Sequence, residues 1–159
     1  MMSFDRSQPA QLTLRPLRLD ADISSLLSLL RVLYPSIEES LLLSRIRAIQ
    51  HQGWSCNLAL ERIASHDVVV GLAGYWVQTR ICYGRYLYVD HFIVSDHARS
   101  RGVGAAMWDA LETSARSAEC ERIVLDTFIA NSVAQRFWMN RGCHIVGFHF
   151  GKHLSRGVI

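Results

Sequence analysis

The stretch RYLYVDHFIVSDHARSRGVGAAMWDALETSARSAE, residues 85–119, decides the fold. An apolar run reaches Val94, a short polar turn follows, and Arg99-Ser100-Arg101-Gly102-Val103-Gly104 opens a helix. At such a strand–turn–helix junction the first backbone N–H groups of the helix have no intrahelical acceptor, and the helix dipole adds partial positive charge. Glycines let backbone approach a ligand closely. The turn is therefore expected to seat an anion, in particular a phosphate-bearing ligand.

Working outward, Leu12 to Leu17 alternates apolar and polar residues and predicts a first strand, with Pro16 near its end. Asp20 or Asp22 is placed to cap a helix through Leu33, and Tyr34-Pro35 stops it. Ser36 with Glu39 predicts a capping box for a second helix, roughly Ile37 to Gln52. Trp54 to Ile63 and Val68 to Thr79 read as a hairpin, in which Gly71 and Gly74 signal a bulge or a close backbone approach. Tyr83-Gly84-Arg85 turns the chain into the quoted stretch. Beyond it, Arg122 to Phe128 reads as a buried strand, Asn131 caps a helix through Arg141, Gly142 ends that helix, and Cys143 to Phe150 reads as a last strand. The order is strand, two helices, three strands, helix, strand, helix, strand. It predicts a mixed α/β sheet, antiparallel early and with crossover units later.

At 159 residues the chain is expected to form one domain, 1–159, with flexible ends at 1–10 and 152–159. Half of the residues are hydrophobic, which argues against disorder, and the formal charge of +3 suits an anionic cofactor but not a nucleic-acid footprint. Cys56, Cys82, Cys120 and Cys143 form no C-x-x-C pair, so zinc-knuckle and thioredoxin-like readings lack support. They are expected to be buried free thiols in a reducing cytoplasm. The N-terminus lacks the pattern of a signal peptide, and no apolar run reaches the ~20 residues of a membrane helix. A cytoplasmic protein without nucleic-acid, membrane or metal partners is expected.

Three ligand classes use a glycine turn of this kind. The dinucleotide fingerprint needs a third glycine where Ala105-Ala106-Met107 stands, and the nucleotide-hydrolase loop needs G-K-[ST], which is absent. What remains is Arg99-x-x-Gly102-x-Gly104, followed by Asn131-x-x-Ala134-x-x-Phe137-Trp138-x-x-x-Gly142-Cys143. Both motifs, their separation and the order of elements resemble the GNAT superfamily of N-acetyltransferases across essentially the whole chain. The resemblance implies the GNAT-like acyl-CoA N-acyltransferase fold, with acetyl-CoA or another acyl-CoA as co-substrate. It implies that backbone groups of Phe92, Ile93 and Val94 pair with the pantetheine arm. Backbone N–H groups of Arg99, Ser100, Arg101, Gly102, Val103, Gly104 and Ala105 would hold the pyrophosphate, and the two arginine side chains would add charge. Asn131 and Phe137 fall on the cofactor side, Asn131 also serving as a plain helix cap.

Acyl transfer to an amine needs a deprotonated amine, a polarised thioester carbonyl and an outlet for the thiolate. Alternation puts Tyr86, Tyr88, Asp90, Phe92 and Val94 on one face and Leu87, Val89, His91 and Ile93 on the other, so Asp90 and His91 share a cleft only if a bulge intervenes. Asp90 occupies the position where similar acetyltransferases carry their base and is the first candidate, through a water or by binding the ammonium. His91, whose side-chain type titrates nearest neutrality, is the second. Trp138 stands where the family has a tyrosine proton donor, and an indole N–H donates a hydrogen bond but not a proton. Tyr88 or solvent would then assist the thiolate, or the protein would bind acyl-CoA without turnover. A small-molecule or peptide amine acceptor is expected near Tyr34, Glu38, Glu39, Trp76, Gln78 and Tyr83. Dimerisation, frequent in the family, could use the edge of Ile145 to Phe150. A regulatory acyl-CoA-binding module and a nucleotide-binding protein are the competing readings.

Overall fold

A computed structural model describes residues 11–152 and 154. Residues 1–10 and most of the other expected flexible end, 153 and 155–159, lie outside the described residues. The elements run β1 (Leu12–Pro16), α1 (Leu19–Leu33), α2 (Glu39–His51), β2 (Ser55–Ile63), β3 (His66–Arg80), β4 (Gly84–Val94), α3 (Val103–Ser117), β5 (Arg122–Leu125) and α4 (Ser132–Asn140). The strands form one sheet in the order β1-β2-β3-β4-β5. The first four are antiparallel neighbours, and β5 runs parallel to β4 after the α3 crossover.

Each face of the sheet carries its own apolar layer. On one, Leu26, Leu30, Leu42 and Ile46 of α1 and α2 meet Cys56, Leu58, Leu60, Leu72 and Ile93. On the other, Val103, Met107, Trp108 and Leu111 of α3 meet Ala59, Val70, Ala73, Leu87 and Val89, with Trp138 of α4 at the margin. Non-polar area removed from water at about 25 cal/mol per Å² drives both layers together.

Two irregularities break the strand alternation, as the glycines foretold. Val70 is skipped between the pairs Leu60↔Val69 and Ala59↔Gly71, and Asp90 is skipped between Tyr75↔Val89 and Gly74↔His91. The extra residue at Asp90 reverses the faces of everything after it. Leu87 and Val89 share the α3 face with Phe92 and Val94, whereas His91 and Ile93 turn toward α1 and α2. The strict alternation expected from the sequence, with Val89 beside His91, is thus corrected. Gly74 lies against the Trp54 indole, where a Cβ would stand 2.3 Å from a ring carbon.

Other expectations also need correction. Residues 143–150 form no strand among the described residues, and β5 ends at Leu125, leaving Phe128 exposed. The Ser36–Glu39 capping box does not form: α2 begins at Glu39 with Glu38 at its N-cap, and the Glu39 carboxylate pairs with Arg31 at 3.1 Å. Neither Asp20 nor Asp22 is the N-cap of α1, a position held by Arg18. Instead Asp22 reaches back, accepting from the Arg18 backbone N–H at 2.8 Å and from both Arg15 Nη atoms at 2.7 Å. Among the four free thiols only Cys56 is buried, and Cys82 is exposed on the β3–β4 turn.

The hydrogen bonds from Arg15 bring the Asp22 carboxyl down to about 2, against burial, with the Arg18 N–H adding to the effect. A carboxylate lowered in the folded state stabilises fully above its ordinary 3.8 and stops doing so as pH falls through about 2. Asp22→Asn is expected to cost roughly 2 kcal/mol at pH 7. Urea titrations of variant and parent should converge toward pH 2.

Candidate active site

The anion seat is built where β4 gives way to α3. Ser100 and Gly102 both have positive φ, +60° and +83°, and Gly102 is the left-handed N-cap of α3. The N–H groups of Val103, Gly104 and Ala105 have no hydrogen-bond partner among the described residues. A Cβ at Gly102 would meet nothing within 4 Å, so that side of the turn is open. Free N–H groups, a helix dipole and open space fit an anion such as a pyrophosphate.

Both arginines of the turn are engaged within the chain. Arg99 meets Asp96 at 2.8 Å and donates from Nε to the Val94 carbonyl at 3.3 Å. Arg101 meets Glu61 of β2 at 3.1 Å, and Glu61 is buried with its Oε2 unpartnered. Glu61 was not visible as a site residue from sequence. The only hint was a carboxylate where β2 should turn an apolar side inward.

The pairing of β4 with β5 stops at Val89↔Leu125. Beyond the bulge, Phe92, Ile93 and Val94 pair only with β3 among the described residues, so there the side of β4 facing away from β3 is free next to the anion seat. Phe92 and Phe137 flank the opening with ring centroids 5.7 Å apart, and both rings lie near Gly104. Asn131 caps α4, its Oδ1 accepting from the Ala134 N–H at 3.1 Å, which leaves its Nδ2 free for a second partner.

The bulge brings Asp90 and His91 together after all. His91 Nδ1 lies 3.0 Å from Asp90 Oδ2, a close polar contact without the alignment of a hydrogen bond. Burial raises the Asp90 carboxyl, but His91 and the Trp76 indole outweigh it and hold it below its ordinary value. Tyr34 and Trp54 meet the His91 ring edge-on at 5.7 and 5.8 Å. Of the residues expected near an acceptor, Tyr34 and Trp76 are therefore here. Glu39 is turned away to Arg31, while Gln78 accepts from the Tyr86 hydroxyl and Tyr83 meets Tyr86 edge-on along the hairpin. Trp54 and Asp126 went unnoticed in the sequence. Asp126 follows β5 directly, at the carboxyl end of a parallel strand, where ligand-facing residues of α/β sheets gather.

Tyr88 shares the His91 face, but its hydroxyl donates to Asp126 at 2.5 Å. Burial, that bond and the Asp126 and Asp90 charges push its phenol well above the ordinary range. It is a poor proton donor. Trp138 is 8% exposed and packs against Phe92, Phe137 and Trp108, with Nε1 lacking a partner among the described residues. Burial lifts the Cys56 thiol to about 12, which removes its nucleophilic character.

Residues 23–143 match the Acetyltransferase (GNAT) family, and the chain belongs to that family. No curated protein sequence matches it. Among solved structures it is similar to the aminoglycoside N-acetyltransferase AAC(6')-Iy in complex with CoA, at TM-score 0.80 and 16% identity over 95% of this chain and 99% of that one. An acetyltransferase of Trypanosoma brucei aligns at TM-score 0.72 and 22% identity, covering 91% and 100%. The aminoglycoside 6'-N-acetyltransferase AAC(6')-Ih of Acinetobacter baumannii aligns at 0.74 and 15%, covering 91% and 100%. These likenesses establish a shared fold. No helix among the described residues is long and apolar enough to cross a membrane, and no group of three or more of their His, Cys, Asp and Glu side chains is arranged to hold a metal ion.

The two glycines of the turn should respond oppositely to alanine. Gly102→Ala forces a side chain into the left-handed region and is expected to lower the thermal midpoint by roughly 2–8 °C. At Gly104 a Cβ stands 3.4 Å from Phe137, an ordinary contact, and alanine is the better helix former. Gly104→Ala should leave the midpoint of the ligand-free protein unchanged or raised in the same calorimetric scan.

Proposed function

We propose that the protein, acting as one domain over 1–159, transfers an acetyl group from acetyl-CoA to a primary amine by direct transfer in a ternary complex. The observation that carries this reading is the Asp90 bulge. It places a carboxylate and an imidazole beside the free side of β4, next to an open anion seat at the start of α3. Family membership supplies the reaction class. In this reading the turn Arg99–Ala105 holds the pyrophosphate, and the backbone of Phe92–Val94 takes the pantetheine arm. Asn131 offers its Nδ2 to that arm, and Phe137 lines the channel.

A carboxylate held below its ordinary value is a weak base and a good cation anchor. Asp90 therefore binds the acceptor ammonium, and His91 takes its proton. The amine nitrogen then bonds to the acyl carbon as the carbon–sulfur bond breaks, and the second proton that the nitrogen sheds passes through water to the departing thiolate. Coenzyme A thiolate departs without a general acid more readily than an alkoxide would. The acceptor is a small-molecule or peptide amine, lying against Tyr34 and Trp76, whose faces suit a cation. The reading places this chemistry in the cytoplasm, in keeping with four free thiols.

Trp138 favours a second reading, an acyl-CoA-binding regulatory module without turnover, because it is buried among rings at the position of the family's acid. Trp138→Tyr separates the two. A modest or large rate gain over an amine panel fits an enzyme lacking its acid, whereas no turnover in either protein fits the binder.

Asp90→Asn should lower kcat/KM for any accepted amine by about 10²-fold or more, followed by coenzyme A release, with coenzyme A binding retained. Unchanged turnover would remove Asp90 from the mechanism.

A further inference from the structure

The sheet face that carries α1 and α2 is not covered to its far corner. Those helices pack on Cys56, Leu58, Leu72 and Ile93, and along β3 their apolar layer stops at Trp76. Beyond Trp76 the register places Gln78, Tyr86 and Arg122 in one row on the same face, with Arg80 opposite Gly84 one pair further. Arg80 and Arg122 are exposed. Among the described residues their guanidiniums lie against rings, and neither pairs with an acid. Arg80 stands 5.4 Å from the Tyr86 centroid and 5.9 Å from that of Tyr83, and Arg122 stands 5.1 Å from Tyr83. Glu121, nearby, lies over Gly84 and accepts from the Arg85 N–H.

The other end of this face is acidic. Asp90 sits at the bulge, and Asp126 follows β5, holding Tyr88 and His149. Tyr88 lies between the two ends and feels both. Burial and the bond to Asp126 dominate its upward shift; the Asp126 and Asp90 charges add to it, and the Arg80 charge opposes it. Arg122 and Asp126 are four residues apart along one chain, as are Tyr86 and Asp90. At roughly 3.3 Å per residue the two ends are about 13 Å apart.

We infer that the acceptor is a primary amine that also carries an anionic group, a carboxylate or a phosphate, about 13 Å from its nitrogen. Its ammonium lies at Asp90 and its anion between Arg80 and Arg122. The amine end rests on the acetyl-transfer reading, whereas the anionic end rests on the register and the two guanidiniums. Two like charges against the one Tyr83 ring repel, and an anion between them relieves that repulsion. The rings hold both planar forks in place, so little freedom is lost when they bond a carboxylate or phosphate. A face positive at one end and negative at the other matches an acceptor of opposite polarity and disfavours one that is cationic at both ends.

Paired acceptors of equal length test this with acetyl-CoA: tetraalanine, about 13 Å long when extended, against tetraalaninamide, and aminooctyl phosphate against aminooctanol. Each pair shares its amine and differs in the anion. The anionic member of at least one pair should have a kcat/KM about five- to tenfold higher, and the pair that shows it names the group. The advantage should shrink at high salt. It should fall below about twofold in the variant Arg80→Gln with Arg122→Gln, and survive in part in Arg80→Lys. Because the readout is a ratio within one protein, loss of folded enzyme does not mimic it. Calorimetric titration of the same compounds, with coenzyme A present, gives a readout that needs no turnover. Anionic members that bind more tightly yet are never acetylated would uphold this anion site and refute acetyl transfer. Equal preference in both readouts, preference for the neutral members, or an anionic preference that persists in the doubly substituted protein would each overturn the inference.

Discussion

One unpaired residue in one strand governs this site. Because Asp90 has no partner in β3, β4 twists and its side chains change faces at that point. Without the extra residue His91 would continue the Leu87–Val89 row into the α3 layer. With it, the imidazole enters the aromatic ring of Tyr34 and Trp54, and the carboxylate stays beside it at 3.0 Å. The same twist parts β4 from β5 after Leu125 and leaves the backbone of Phe92–Val94 free. A chemical pair and an edge for a ligand both follow from a single backbone event.

The anion seat depends on that event for its position and on α3 for its strength. Three unpaired N–H groups at the start of a helix attract an anion through partial charges that belong to the backbone and cost nothing to orient. The side-chain charges of the turn are arranged differently from the expectation that both arginines add charge to the pyrophosphate seat. Arg99 braces the end of β4 through Asp96 and the Val94 carbonyl, and Arg101 ties the turn to buried Glu61. The seat is therefore held stiffly by its arginines, and α3's apolar stripe of Val103, Met107 and Leu111 fixes it to the sheet.

Much of this was legible in the residues because it is local. Gly102 at a strand–helix junction, Asn131 followed by a helix and Gly142 after it each act within a turn of themselves, and the structure begins or ends a helix at each of them. Gly71 and Gly74 announced irregularity without saying which strand would carry it. The inserted residues are Val70 and Asp90, and nothing in a row of apolar residues distinguishes an inserted residue from a paired one. The Ser36–Glu39 box failed for a related reason: Arg31, one turn back on α1, competes for Glu39, and that competitor is visible only once two helices are adjacent. Asp126 and Trp54 acquire their roles from neighbours far along the chain. The 143–150 segment, expected as a last strand, forms none among the described residues, because strand propensity names no partner.

Titration of the Asp90 carboxyl carbon by NMR, in the unaltered protein and in His91→Asn, tests the bulge most directly and needs no acceptor. With both side chains brought to one face, Asp90 should titrate below the ordinary 3.8 and rise when the imidazole is removed, because burial is then opposed by the Trp76 indole alone. A carboxyl that titrates at its ordinary value and does not respond to the loss of His91 would mean that the two lie on opposite faces, and that β4 runs without its extra residue.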